Sequence, residues 1–266
     1  MWSEEGRLSS AFCDAQGRLK YHELQKWMEQ VAGCDLAQRG GTEKQSEERI
    51  WVLRSIDLDF LAPRPPEGRM LRLETRLVGR NRLYTWRDFC LTDKETGMPL
   101  CLARTQWLEL RKQDRRPVLD PPEALAGDSY APPFYGREPR PWKGQLRPPT
   151  AAEQMVQRRC WASEVDGNGH MNNSYYSAWG TDFLALYWPQ YLDRVRALHI
   201  LYAQELLPGE LVDISGRTFV DAAPGPELQA LWDRQMEAGT EGPEIWVWGQ
   251  KEDGSLAFKL SFELHG

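Results

Sequence analysis

From Met70 to Val78 the chain alternates: Leu71, Leu73, Thr75 and Leu77 leave one side, and Arg72, Glu74 and Arg76 leave the other. Successive side chains of an extended chain point to opposite faces, so this period of two predicts a strand with one buried face. Ile50 to Asp57 is apolar and β-prone and reads as another strand. Leu83 to Thr92 and Leu100 to Leu110 follow, joined by Asp93-Lys94-Glu95-Thr96-Gly97-Met98-Pro99, whose turn residues suit a hairpin. Ahead of these strands the period changes. Leu24, Trp27, Met28 and Val31 fall at i, i+3, i+4 and i+7, one face of a helix predicted to start near His22 and to end at Gly33.

The same layout then recurs. Pro117 to Thr150 is rich in Pro, Arg and Gly and reads as a linker, with a short helix predicted near Glu123 to Ala126. Arg158 to Val165 reads as a strand, and Tyr176, Trp179, Gly180, Phe183, Leu184 and Tyr187 mark the inward stripe of a second helix. Ala197 to Gln204, Leu211 to Val220, Glu244 to Lys251 and Leu256 to Leu264 supply strands, with an inserted Glu227 to Ala238 segment of helical composition. Each half is then a helix laid against an antiparallel sheet, and edge-to-edge pairing of the two sheets would leave fewer exposed edges. The expected architecture is α+β, a tandem (double) hot-dog fold with two helices on a continuous antiparallel sheet. Residues 1–116 would form the N-terminal hot-dog domain, 117–150 a linker and 151–266 the C-terminal hot-dog domain.

Composition narrows the function classes. The chain has 266 residues, 41% of them hydrophobic and twelve of them Trp, enough for a substantial core. A formal net charge of −6 argues against nucleic acid as a partner, although Arg137, Arg140, Lys143 and Arg147 form a local basic stretch. No apolar run is long enough to span a bilayer, and Met1-Trp2-Ser3-Glu4-Glu5-Gly6 has neither a basic nor an apolar leader region. A cytoplasmic protein without integral membrane association is expected. The five cysteines are scattered without close pairs, so they read as buried reduced thiols, and no metal site is expected.

Candidate chemistry is densest at Asp166-Gly167-Asn168-Gly169-His170-Met171-Asn172-Asn173. Side chains two apart share a face of an extended or loosely turned segment, so Asp166, Asn168 and His170 can converge, and the glycines, which are turn residues, allow tight backbone geometry and close substrate approach. Asn172 or Asn173 can cap the helix that follows, whose N-terminal amides offer partial positive charge to a developing oxyanion. The segment before the first helix, Asp14-Ala15-Gln16-Gly17-Arg18-Leu19-Lys20, has no counterpart of the Asn168 and His170 pair, so one active site per chain is expected. No Gly-x-Ser-x-Gly nucleophile elbow is present, and Ser174 sits at the helix start, where capping or helix-surface duty is expected. His22, His199 and His265 have no comparable set of acid and amide neighbours and read as surface or packing residues.

Several segments together resemble the acyl-acyl carrier protein (acyl-ACP) thioesterases, the plant plastid enzymes and their bacterial relatives. In the first half these are Ile50-Trp51-Val52-Leu53, the strands around Arg82 to Leu91, and Arg104-Thr105-Gln106-Trp107-Leu108 followed by Arg115-Arg116-Pro117. In the second half they are Val165 to Tyr176 and Leu201-Tyr202-Ala203-Gln204-Glu205. The resemblance implies that the family's catalytic aspartate, asparagine, histidine and glutamate fall on Asp166, Asn168, His170 and Glu205. Two departures stand out: Leu206 follows Glu205 where the plant enzymes commonly have a cysteine, and the Glu227 to Ala238 segment differs from the plant pattern.

A thioester is already activated, so its hydrolysis needs a placed water, a base and oxyanion stabilisation. On the resemblance Glu205, or else Asp166, is the base; His170 positions water or stabilises charge, with Asp166 orienting its ring; and Asn168 donates to the thioester carbonyl or fixes a carboxylate. A carboxylate nucleophile passing through an anhydride is the competing route. Trp27, Met28 and Val31 are candidates for lining an acyl tunnel in the half that sets chain-length selectivity. The implied partner is acyl carrier protein bearing a fatty acyl-phosphopantetheine, no cofactor is expected, and homodimerisation is left open. The alternatives are an acyl-coenzyme A thioesterase, a hot-dog hydratase or dehydratase, and a non-enzymatic acyl-binding module.

Overall fold

A computed structural model describes residues 1–39, 48–119, 130–136, 152–219 and 243–265. The chain divides into two compact units, Met1–Arg137 and Glu138–Gly266. The helix expected near Glu123 to Ala126, the basic stretch from Arg137 to Arg147 and the Glu227 to Ala238 segment lie outside the described residues.

The first unit contains β1 (Trp2–Arg7), α1 (Tyr21–Gln38), β2 (Arg49–Phe60), β3 (Met70–Arg80), β4 (Tyr84–Asp93) and β5 (Pro99–Arg111). Its sheet runs β1-β3-β4-β5-β2 with every pair antiparallel. Leu71, Leu73, Thr75 and Leu77 are the buried positions of β3, as the alternation predicts. The turn between β4 and β5 closes where Asp93 Oδ1 accepts the Glu95 and Thr96 amides.

Helix α1 does not stop at Gly33 as expected but continues to Gln38. Glycine inside a helix costs about 1 kcal/mol relative to alanine, and a tertiary contact offsets it. Asp35, fully buried, accepts from Arg87 Nη1 of β4 at 2.7 Å and from Arg39 Nε at 3.2 Å, which fastens the last turn to the sheet. Burial raises the Asp35 carboxyl, but the Arg87 guanidinium beside it outweighs this and holds it below the usual carboxylate range.

Because Arg87 points toward α1, Asp88 points to the opposite face of the sheet. There it takes two hydrogen bonds from Arg104, at 2.6 and 2.9 Å, and one from the Tyr135 amide at 2.9 Å. Residues 130–136, within the expected linker, are therefore tied to the first sheet. Ala131 N–H donates to the Leu77 carbonyl, and Arg76 donates to the Pro132 carbonyl while its guanidinium lies over the Phe134 ring.

The second unit contains β6 (Gln154–Arg159), α2 (Asn173–Tyr187), β7 (Val195–Tyr202), β8 (Leu211–Phe219), β9 (Glu244–Lys251) and β10 (Leu256–Leu264). Its sheet runs β7-β10-β9-β8-β6, again antiparallel throughout. Here the expected strand at Arg158 to Val165 is corrected. The strand ends at Arg159, and Ala162–Glu164 is a 3-10 turn, because the Glu164 carboxylate reaches back to the Trp161 amide and curls the chain. On α2, Tyr176, Trp179, Gly180, Phe183 and Leu184 are buried, as the stripe predicts, and Tyr187 is half-buried. A Cβ at Gly180 would lie 2.7 Å from Leu260 Cδ2, so the missing side chain is what lets α2 settle onto β10. Among the described residues no helix is long and apolar enough to cross a membrane.

The two units repeat each other bond for bond around the entry to their helices. Gly68 N–H donates to Leu8 O and Gly209 N–H to Cys160 O, both at 2.8 Å. Asp14 N–H donates to Arg18 O at 2.8 Å, and Asp166 N–H to His170 O at 3.0 Å. Cys13 bridges Leu19 as Val165 bridges Met171. Asp14 thus corresponds to Asp166, Gln16 to Asn168, Arg18 to His170 and Leu19 to Met171.

Candidate active site

The turn that carries three of the four candidate residues is built by its own first side chain. Asp166 Oδ1 accepts the Asn168 amide at 2.8 Å, and Gly169 N–H closes back on Asp166 O at 3.0 Å. Gly169 has φ +85°, a left-handed conformation open mainly to glycine, so the turn presents His170 immediately after it. Asn172 then caps α2, its Oδ1 accepting the Ser174 amide at 2.9 Å. Ser174 is buried and its hydroxyl also donates to Asn172 Oδ1, so it serves the cap rather than the helix surface.

Glu205 arrives from the far end of β7, where the Ala203 and Gln204 amides both donate to Ala257 O. Three bonds hold this segment against the turn and helix. Met171 N–H donates to Leu206 O at 2.8 Å, Tyr202 OH to Asn173 O at 3.1 Å, and Tyr176 OH to Gln204 O at 3.5 Å. Burial pushes the Tyr176 phenol well above its ordinary value, so it remains a neutral donor. The outcome is that His170 Nε2 and Glu205 Oε1 stand 4.0 Å apart, with the side chains 25% and 33% exposed.

Asp166, Asn168, His170 and Glu205 are therefore gathered at one end of the second unit. The Asp166 carboxylate does not hydrogen-bond to the His170 ring; its bonds go to the Asn168 amide and, at 3.5 Å, to the Asn168 side-chain nitrogen. The acid facing His170 is Glu205. Nearby Cys160 is buried, and burial together with Glu164 and Glu210 pushes its thiol up to about 11, so it stays protonated at neutral pH. Among the described residues no three His, Cys, Asp or Glu side chains converge as metal ligands.

The other three candidates lie on α1 of the first unit. Met28 and Val31 are fully buried, whereas Trp27 is half-buried at the margin of the stripe, its indole N–H donating to Glu4 Oε2 of β1 at 3.1 Å. His199, without an acid beside it in sequence, has one in space: its Nε2 lies 3.1 Å from Glu263 Oε1, deep in the second sheet, and Arg196 holds the other oxygen. This cross-strand pairing could not be read from the spacing.

The corresponding end of the first unit has Gln16, Arg18 and an arginine in place of Asn168, His170 and Glu205. Leu19 N–H donates to Pro65 O as Met171 N–H does to Leu206 O, so Arg64 corresponds to Glu205. Its Nη1 bonds Asp14 Oδ2 at 2.7 Å and Leu19 O at 3.0 Å, and its guanidinium stacks over Tyr21.

Residues 3–127 match the family described as acyl-ACP thioesterase N-terminal domain. No curated protein sequence matches the chain. An acyl-ACP thioesterase from Bacteroides thetaiotaomicron is similar in structure at 18% identity, with a TM-score of 0.76 over 99% of this chain and 97% of that one. A 12:0-ACP thioesterase from Umbellularia californica is similar at 15% identity, with a TM-score of 0.75 over 99% of this chain and 93% of that one. The two likenesses give the fold as the tandem hot-dog, and the family match lies within the first unit.

Proposed function

We propose that the chain hydrolyses the thioester of acyl-ACP, releasing free fatty acid and holo-ACP in the cytoplasm and so terminating acyl-chain synthesis. The observation that carries the reading is the open pair of His170 and Glu205. Their 4.0 Å separation is too long for a direct hydrogen bond, yet one water can lie within about 2.7–3.2 Å of both atoms. Such a water has a carboxylate to take its proton and an imidazole to orient it.

Glu205 acts as the general base and His170 positions the water and steadies the charge that develops. Asn168, held by the Asp166 turn, offers its side-chain amide to the thioester carbonyl. The first-turn amides of α2 supply further donors to the oxyanion, with the helix dipole aligned behind them. The tetrahedral intermediate then collapses, the carbon–sulfur bond breaks and the pantetheine thiol leaves with a proton. Asp166 holds the turn, a role its carboxylate already fills in the folded chain. The open gap between His170 and Glu205 favours water over direct carboxylate attack.

Met28 and Val31, with Trp27 beside them, set the acyl-chain preference of the first unit in this reading. The test is free thiol release from purified protein given acyl-ACP and acyl-coenzyme A of matched chain. Hydrolysis of acyl-ACP with the higher kcat/KM supports the proposal. Faster turnover of acyl-coenzyme A would move the protein to the other carrier, and no thiol release from either would end the reading.

A further inference from the structure

Glu164 is a buried acid next to the His170 turn that the mechanism does not use. Its side chain is 6% exposed, and burying a carboxylate is unfavourable unless it is paired. Each oxygen has a fixed donor: Oε1 accepts the Trp179 indole N–H at 2.7 Å, and Oε2 accepts the Trp161 amide at 2.9 Å. Arg158 Nη2 lies 3.4 Å from Oε1, and the Glu164 carbonyl accepts the Asn172 amide at 2.9 Å. One residue thereby joins the end of β6, the entry to the His170 turn, the α2 cap and the middle of α2.

The first unit provides an internal control. Its turn is closed by the same backbone bonds, including Lys20 N–H to Phe12 O at 3.0 Å, which matches Asn172 N–H to Glu164 O. At the position of Glu164 stands Phe12, whose side chain is exposed, and Trp27, as far from its helix cap as Trp179 is from its own, donates to Glu4 instead. The turn therefore forms without a buried acid. Among the two units the acid occurs only beside His170 and Glu205.

We propose that Glu164 is a positioning residue: by clamping the His170 turn to α2 it sets the distance between His170 and Glu205, an inference that rests on the function proposed above. Glutamine at 164 is the discriminating change, since it keeps the shape but has one acceptor oxygen and turns its NH2 toward a donor. In Glu164→Gln the amides of Asp166, Gly169 and Met171 are expected to exchange with deuterium about tenfold faster or more, with those of Asp14, Gly17 and Leu19 unchanged. Turnover of acyl-ACP is expected to fall by ~10-fold to ~10²-fold with KM within about twofold, as a small misplacement of reacting groups requires.

Unchanged exchange in the second turn, an equal rise in both turns, or an unchanged kcat would each overturn the proposal. Should Glu164→Gln not fold, Trp179→Phe removes one donor and keeps a ring. The same pattern at smaller amplitude is then expected, and no change in that variant overturns the clamp equally. A wild-type chain that released no thiol would remove the function alone, because the exchange comparison between the two turns still tests the clamp.

Discussion

Arg64 occupies in the first unit the backbone position that Glu205 occupies in the second, each preceding the carbonyl that accepts the last amide of its turn. A cation there cannot serve as base, and it instead fastens Asp14 and stacks on Tyr21. Arg64→Ala is expected to lower stability by about 1.5–3 kcal/mol, the range for a charge-assisted hydrogen bond, and to leave kcat/KM within about twofold. Urea unfolding and the thiol assay, run on the same preparation, check both halves of the expectation.

The same exchange of residues predicts the number of sites. With Gln16, Arg18 and Arg64 in the first unit, a slowly hydrolysed acyl thioester analogue should saturate at one equivalent per chain in calorimetric titration. Two equivalent binding events would contradict the asymmetry.

His170→Ala and Glu205→Ala should each reduce turnover by ~10² or more, the size expected for loss of a general acid or base. Both side chains are partly exposed and are not core residues, so the fold should survive. Circular dichroism confirms folding, and near-normal turnover in either folded variant removes that residue from the mechanism.

Acyl-chain preference should respond to Met28, which is buried on α1, more than to Trp27, which is anchored to Glu4. Each buried methylene contributes about 0.8 kcal/mol, so room for two more carbons would change relative specificity roughly tenfold. Met28→Ala is expected to shift the product profile toward longer chains, at a stability cost of about 2–5 kcal/mol. An unchanged profile in an active variant returns Met28 to plain core.

Acid should destabilise the first unit through Asp14 and Asp35. Burial raises both carboxyls, but backbone amides and Arg64 at Asp14, and Arg87 at Asp35, hold both below the usual range. A carboxyl with a lowered folded pKa adds stability above the unfolded value of about 3.9 and loses it as pH falls through the folded value. Arg87→Gln should cost about 3 kcal/mol at neutral pH and flatten the loss of stability in acid, read from urea midpoints at pH values from about 6 to about 2. An acid response as steep as that of the wild type would place the titrating group elsewhere.

Local patterns carried much of the fold. The alternation in β3, the apolar runs of β9 and β10 and the stripe of α2 were legible because strand and helix periods put each buried side chain at a predictable place. The Asp166 to His170 segment was legible as a turn for the same reason: its bonds lie within the segment itself. Contacts across long stretches of chain decided the remainder. Nothing adjacent to Gly33 announces that α1 continues, since Asp35 meets Arg87 only once β4 lies beneath it. Glu164 looked like part of a strand until its carboxylate found Trp161 and Trp179. The resemblance named Glu205, but its 4.0 Å approach to His170 depends on Met171 reaching Leu206 across a folded sheet and helix. Residue types and short-range periodicity select local conformation, whereas the distance between two reacting groups is set by long-range hydrogen bonds and packing that exist only in the folded chain.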